Sequence, residues 1–278
     1  MIATREPEWE AGALAYDEIA SRYDRVPQEN RINRLMRVGS LARIEGTFPP
    51  GSRVLEIGCG TGDEALALAE RGISVVALDP SREMVRIANA KARERGLTDR
   101  AEFRVAHARD LSSIRDELGS PFDGGYASFS LAYEPDLRPV AEGLDGALRF
   151  GSRFLASLPS RFCLVEFALA IGSGHPAFSG RRLSAWRDHK VGARAVPIRS
   201  YTPRSFAQAM APHFTLERIE ALPAIVPPPY MNRVYAKFDG LADALERADA
   251  TLRTRFPFRA IGDHFLAELR HVHGPADG

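Results

Sequence analysis

Short apolar runs recur through the middle of the chain, separated by longer stretches in which apolar residues fall at helical spacing. The runs read as strands: SRVLEIG, SVVALD, AEFRVAH, FDGGYASFS and GSRFLASLP. Between them, DEALALAERG reads as a helix ended by Gly72, and PSREMVRIANAKARERG as a helix opened by Pro80 and capped by Ser81. LRPVAEGLDGALRF is a third helix. Alternation of strand and helix from residue 53 to 159 predicts a parallel sheet with helices on both faces. Upstream, YDEIASRYDRV carries Tyr16 and Tyr23 seven residues apart, which puts both rings on one face of a helix. Pro27 interrupts that helix and ENRINRLMRVGSLARI forms a second one, while the polar residues 1–10 read as disordered.

The alternation stops at Pro159. The stretch from Arg161 to Lys190 reads as two helices broken by a Gly-Ser-Gly-His-Pro segment, and residues 161–212 as an insertion that caps the domain. YTPRSFAQAMAPHF resumes with a helix begun by Thr202-Pro203, followed by the strand FTLERIEAL. PAIVPPPYM is a stiff extended segment, KFDGLADALERADATLRTRF an amphipathic helix and DHFLAELRHV a last strand.

Composition narrows the class. The 278 residues are 45% hydrophobic and 26% charged, an ordinary globular balance. Basic and acidic residues nearly cancel, 37 against 36, so no basic excess points to nucleic acid. Cys59 and Cys163 make neither a disulfide framework nor a zinc site. The N-terminal residues lack the apolar core of a signal peptide, and no apolar run reaches the ~18 residues of a membrane span. The sequence reads as a soluble cytoplasmic protein of unassigned oligomeric state.

The chemistry concentrates in VLEIGCGTGDEALALAERG, a strand feeding a glycine-rich turn and a helix N-terminus, which is a ready cradle for an anion or nucleotide. A dinucleotide site asks for a third glycine where Asp63 stands, and the glycines run instead as Gly58, Gly60 and Gly62. A carboxylate at the helix start is expected to repel a pyrophosphate, and the Gly-Lys-Ser/Thr of a phosphate-binding loop is missing. The turn therefore suits a nucleotide without phosphate that carries positive charge. Glu56 just before the turn and Asp79 at the end of the second strand agree with this, Asp79 being placed to accept both hydroxyls of a ribose.

Over residues 16–160 the chain resembles the class I S-adenosylmethionine-dependent methyltransferases, in particular their small-molecule "type 11" group. VLEIGCGTG is similar to the family's first motif, VVALDPSREMVRIA to the second, and FDGGYASFSLAY to the fourth. YDEIASRYD, with Tyr23, resembles the N-terminal helix that closes over the cofactor. The resemblance implies a Rossmann-like, doubly wound, mostly parallel seven-stranded sheet and S-adenosyl-L-methionine as cofactor. It implies backbone approach at Gly58, Cys59 and Gly60, ribose hydroxyls on Asp79, adenine packed near Pro80 and Met84, and Ser128 beside the methionine part. Glu56 orients the turn or reaches the cofactor's amino group through water. The family commonly has Asp-Ala after the third strand; here His107 and Ala108 stand there, so the adenine contact falls to a histidine or to backbone.

A sulfonium already carries an activated methyl group, so the protein's task is to align an acceptor and exclude water, with a general base needed only for a hydroxyl or carbon acid. Candidate bases are Glu166, His175 and His189 in the insertion and Tyr133 after the fourth strand. Each also has a plain structural account: Glu166 facing water on its helix, His175 in a loop before Pro176, His189 on a solvated polar face, Tyr133 as a wall. The apolar helix from Phe162 to Ile171 is expected to be buried between sheet and cap or to line an acceptor pocket, and the Pro227–Pro229 segment to pack or to form its rim. His271 and His273 alternate on one face of the last strand but lack further ligands, so no metal is expected. The leading function is methyl transfer to a small molecule with an apolar or aromatic body. A cofactor-binding module without transfer activity and a nicotinamide-dependent oxidoreductase are the alternatives, and no nucleic-acid partner is expected.

Overall fold

The computed structural model describes residues 10–172 and 184–272. Residues 1–9, the segment holding His175 and Pro176, and His273 lie outside the described residues. The first five strands are β1 (Arg53–Ile57), β2 (Ser74–Asp79), β3 (Ala101–Val105), β4 (Phe122–Ser128) and β5 (Leu148–Pro159). They are followed by β6 (Trp186–Val191), β7 (Arg194–Arg199), β8 (Phe214–Leu222) and β9 (His264–His271). Seven of these form one sheet in the order β3-β2-β1-β4-β5-β9-β8. β1 to β5 run parallel to one another, and β9 is antiparallel to both β5 and β8. This is the doubly wound, mostly parallel α/β fold that the alternation predicted. The order reverses between β1 and β4, the topological switch point beyond whose strand ends such sheets bind ligands.

The helices are α1 (Glu10–Ile19), α2 (Arg25–Glu29), α3 (Arg31–Thr47), α4 (Asp63–Glu70), α5 (Arg82–Glu94), α6 (Leu111–Ile114), α7 (Arg138–Ala147), α8 (Leu164–Gly172), α9 (Pro203–Met210), α10 (Asn232–Tyr235) and α11 (Asp239–Leu252). The sequence caps are used as expected. Ser81 accepts the Met84 N–H at 3.1 Å at the start of α5, and Thr202 accepts the Ser205 N–H at 3.0 Å at the start of α9. One face of the sheet buries Leu144, Phe154, Phe206, Met210 and Phe265, and the other Ile44, Leu66, Ile73 and Tyr126. Among the described residues no helix is long and apolar enough to cross a membrane.

The region after Pro159 departs from expectation in two ways. The second helix expected before Lys190 is strand β6, paired antiparallel with β7 through a two-residue turn at Gly192 and Ala193. Gly192 has φ +60°, and a Cβ there would come within 2.8 Å of Ile19. The signal was present in the alternation of Val196 and Ile198, both buried, with exposed Ala195 and half-exposed Pro197. Secondly, α8 is inside out. Glu166 and Ala170 are buried, whereas Phe167 is 55% exposed and Ile171 64%. Neither the burial of this helix's apolar face nor the water-facing Glu166 that its sequence suggested is realised. α9 packs Phe206 and Met210 into the main core and belongs to the sheet.

The segment between β8 and α10 is fixed by one carboxylate. Asp249 of α11, 4% exposed, accepts the N–H groups of Ala224, Ile225 and Val226 through a single oxygen at 2.8, 2.7 and 3.3 Å. Val226 in turn packs on Ile32 and Met36 of α3. Asp249→Ala is expected to lower unfolding stability by roughly 2–4 kcal/mol, because buried N–H donors are left unmatched. Chemical denaturation of the two proteins checks this, and equal midpoints would show that the carboxylate carries no such load.

Candidate active site

β1 ends at Ile57 and the chain turns through Gly58–Gly62 into α4. The turn is anchored to the neighbouring strand, since the Gly58 and Cys59 N–H groups both donate to the Leu78 carbonyl at 2.7 and 3.0 Å. From the other side Ser130, just after β4, donates its hydroxyl to the Ile57 carbonyl at 2.6 Å. The glycines then differ in purpose. A Cβ on Gly58, φ +77°, would lie 2.1 Å from the Ser130 Cβ, so the fold itself requires glycine there. A Cβ on Gly60, φ +52°, would meet nothing closer than Tyr23 at 3.6 Å. The space over Gly60 is open toward a cleft whose empty volume, with its mouth, is about 1080 Å³.

Asp79 closes the base of that cleft. Its Oδ2 accepts the Gly60 N–H at 2.8 Å and its Oδ1 the Ser81 N–H at 2.9 Å. Burial pushes its pKa up to about 6, against the pull of those two donors. Ser81 also donates to Asp17 of α1 at 2.5 Å, and Asp17 accepts the Glu83 N–H at 3.0 Å, so α1 docks on the N-terminus of α5. Pro80 and Met84 line the cleft beside Asp79, and Met84 is buried. His107, Ala108 and Arg109 line another part of the wall. Ser128 is there as well, its hydroxyl 3.3 Å from that of Ser40.

Several lining groups were not legible from motifs. Arg37 of α3 reaches the cleft, donates to the Tyr23 hydroxyl at 2.7 Å and stands 5.4 Å from the centre of its ring. Glu64 in the first turn of α4 lies beside Glu56; each has a buried Oε2 without a hydrogen-bond partner. Burial pushes both carboxyls above the usual carboxylate range, with Arg37 opposing. Glu134 is buried on the wall, its Oε2 3.5 Å from Arg109 Nε. The repulsion assigned to Asp63 needs correction: Lys91 pairs with Asp63 at 2.6 Å and with Asp24 at 2.7 Å, which neutralises the helix start. The acid excess is carried elsewhere. With Asp63 set aside, Glu56, Glu64, Asp79 and Glu134 line the cleft against Arg37 and Arg109, four carboxyl groups to two guanidinium groups. Such a lining favours a ligand with more positive than negative charge.

The aromatic wall holds the Tyr16 and Tyr133 hydroxyls 2.6 Å apart, with Tyr16 in edge contact with both Tyr133 and Tyr23. Burial pushes the Tyr16 and Tyr133 phenols above their ordinary value, so both are neutral walls of the cleft at physiological pH. Burial, with Asp79 and Glu56 nearby, likewise pushes the Cys59 thiol up and away from the reactive thiolate. The sequence-derived bases are not assembled together. His189 of β6 is exposed, with its ring 6.4 Å from that of Tyr133. Glu166 is buried away from the cleft lining, where its carboxylate, the Cys163 thiol and the Asp263 carboxylate lie within 4.8 Å of one another. His271 is buried against Asp145 at 2.7 Å and the Arg149 carbonyl at 3.0 Å.

The two glycines give a test of the turn that needs no ligand. Gly58→Ala combines left-handed strain with a hard contact and is expected to lose about 2–4 kcal/mol of unfolding stability, against about 1–2 kcal/mol for Gly60→Ala. Urea unfolding of both variants checks the order; equal losses would mean that Gly60 is as enclosed as Gly58.

Comparison with known proteins agrees with this geometry. Residues 54–151 match the family model described as a methyltransferase domain. The chain is 33% identical over 134 residues to the methyltransferase GfsG of Streptomyces halstedii, covering 48% of this chain and 47% of that one. It is 31% identical over 121 residues to the ubiquinone biosynthesis O-methyltransferase of Xylella fastidiosa, covering 44% and 47%. It therefore spans about half the length of these curated relatives. Solved structures share the fold. An S-adenosylmethionine-dependent methyltransferase from Methanosarcina mazei aligns with TM-score 0.56 and 17% identity over 83% of this chain and 97% of its own. The geranyl diphosphate C-methyltransferase of Streptomyces coelicolor aligns with TM-score 0.53 and 16% identity over 84% and 77%. Residues 54–151 of this chain carry a methyltransferase domain.

Proposed function

We propose that this protein transfers the methyl group of S-adenosylmethionine to a small-molecule acceptor with an apolar or aromatic body. The carrying observation is Asp79: both its oxygens are oriented by backbone donors at the foot of a cleft, beside a glycine that leaves room for a nucleoside. The chain's own residues fit the cofactor. Asp79 takes the ribose hydroxyls, Arg37 the carboxylate, and Glu56 with its unmatched oxygen the ammonium side. Met84 and the His107–Ala108 backbone flank the adenine. When bound, the cofactor supplies an electrophilic methyl group that needs alignment more than activation. The cap over the acceptor is proposed from the 161–212 insertion, chiefly α8 and the β6–β7 hairpin. In support, Val191 and Val196 of the hairpin pack on Ala15 and Ile19 of α1. Two thiols not joined in a disulfide suit a reducing, cytoplasmic setting.

Calorimetry with S-adenosylhomocysteine, S-adenosylmethionine and NAD tests the reading. Micromolar binding of the first two and none of NAD is expected; the reverse would end it. Asp79→Ala is expected to weaken adenosyl binding by roughly 2–4 kcal/mol, since it removes a charged acceptor from two hydroxyl donors.

The raised Asp79 also sets a pH dependence. Its pKa of about 6 lies above the unfolded value of 3.8, so this group's contribution to folding stability is present below pH 3.8 and is lost as pH rises toward 6. Ribose binding to the ionised carboxylate runs the other way, weak below that pKa and complete above it. The dissociation constant of S-adenosylhomocysteine is expected to be about tenfold higher at a pH one unit below that pKa than well above it. Asp79→Asn should flatten that dependence, and an unchanged slope in the variant would place the titrating group elsewhere.

A further inference from the structure

A second titratable pair stands at the same edge of the sheet, outside every motif. Asp263 and His264 lie at the start of β9, and His264 Nδ1 is 2.8 Å from Asp263 Oδ2. With the Asp263 carboxyl ionised its oxygen only accepts, and in that state Nδ1 carries the proton and Nε2 is the basic nitrogen of the ring. The carboxylate is only 2% exposed and its backbone is held on both sides. The Asp263 N–H donates to the Pro223 carbonyl at 3.0 Å, and the Asp263 carbonyl accepts the Ser160 N–H at 3.0 Å. The residue before it, Gly262, has no room for a side chain, since a Cβ would fall 2.2 Å from the Pro223 oxygen.

The imidazole is directed by its neighbours. His264 pairs with Pro159 at the carboxyl end of β5, the edge at which the cleft opens. Its ring meets that of Phe129 edge-on at 5.5 Å, and Phe129 lines the cleft. Phe129 has φ +59°, the non-glycine residue that adopts a positive φ among the described residues, and backbone held this way against its preference clusters at functional sites. From β6, His189 interacts electrostatically with His264 while its ring faces Tyr133 on the cleft wall. Glu166 and Cys163 stand beside the pair on the Asp263 side, and Arg187 acts electrostatically on His189.

Resting on the proposed methyl transfer, we infer that His264, positioned by Asp263, is the general base for the acceptor, and that the acceptor presents a hydroxyl group. A hydroxyl must lose its proton as its oxygen bonds to carbon, whereas an amine needs no such base. The phenols of Tyr16 and Tyr133 are neutral donors and cannot take that proton. The step balances as follows: the hydroxyl proton passes to His264 Nε2, the oxygen forms the bond to the methyl carbon, and the carbon–sulfur bond breaks with its electron pair remaining on sulfur. The imidazolium so formed faces the Asp263 carboxylate until its proton passes to solvent.

The test uses the full chain and has two arms. In the first, nitrogen-15 NMR of the histidine rings is recorded with and without S-adenosylhomocysteine. The expected result is a His264 protonated at Nδ1, a tautomer lost in Asp263→Ala, with ring resonances that move on ligand binding. In the second, methyl-labelled S-adenosylmethionine is offered with a panel of phenols, catechols, aliphatic alcohols and amines. O-methylation is expected, with kcat falling about 100-fold or more in His264→Ala, the acidic limb of the pH profile removed, and the dissociation constant of S-adenosylhomocysteine unchanged within about twofold. N-methylation, a His264→Ala variant that keeps its kcat, or a His264 ring that ignores bound ligand would each overturn the inference. Where no panel member is methylated, the NMR arm decides. Failure of S-adenosylhomocysteine to bind at all would instead overturn the cofactor reading, and this inference would fall with it.

Discussion

The Asp79 carboxylate is the junction on which the cleft depends. One oxygen holds the Gly60 N–H of the turn, the other the Ser81 N–H at the mouth of α5. Through Ser81 the same junction reaches Asp17, and with it α1, the helix that brings Tyr16 over the cleft. Three chain segments far apart in sequence are thereby set by one buried acid. Burying that acid is unfavourable, which is why its pKa rises although two donors hold it. Each oxygen accepts one backbone donor and keeps acceptor capacity on the cleft side.

The electrostatics around this junction follow one logic. Glu56, Glu64 and Asp79 are all pushed toward the protonated form by burial. Arg37 is the cation set among them, and its place is fixed by the Tyr23 hydroxyl and ring. The helix-start charge at Asp63, which in isolation would disfavour anions, is spent on Lys91. Charge at the mouth of the turn is thus balanced locally, and the remaining acids of the cleft lie deeper than the helix start.

What the sequence made legible is what local chemistry determines. The strand runs of β1 to β5, the turn glycines, the Ser81 cap and the acid at the end of β2 are each set by spacing within about twenty residues. Arg37 was illegible because it lies on a helix rich in arginine, and only the packing of α3 on Ser128 and Ser157 through Ser40 turns it inward. The β6–β7 hairpin was misread because WRDHK is as polar as a solvated helix face. A two-stranded ribbon with one covered side needs few apolar residues, and only Val191, Val196 and Ile198 are fully buried in it. α8 failed for the opposite reason: hydrophobicity predicts burial for Phe167, while the fold turns Glu166 inward toward Asp263.

The same geometry explains why the pair at the start of β9 escaped sequence reading. In a parallel α/β sheet the functional residues sit just after strand carboxyl ends, and a search along the chain looks there. β9 runs antiparallel between β5 and β8, so the edge it shares with the cleft is its beginning. Residues entering that strand, Asp263 and His264, therefore stand beside Pro159 of β5, more than a hundred positions earlier in the chain. The cofactor half of the cleft is built from the first strands and is local in sequence. Beyond β5 a strand is inserted against the prevailing direction, and the residues it brings to this edge can be found only once that direction is known.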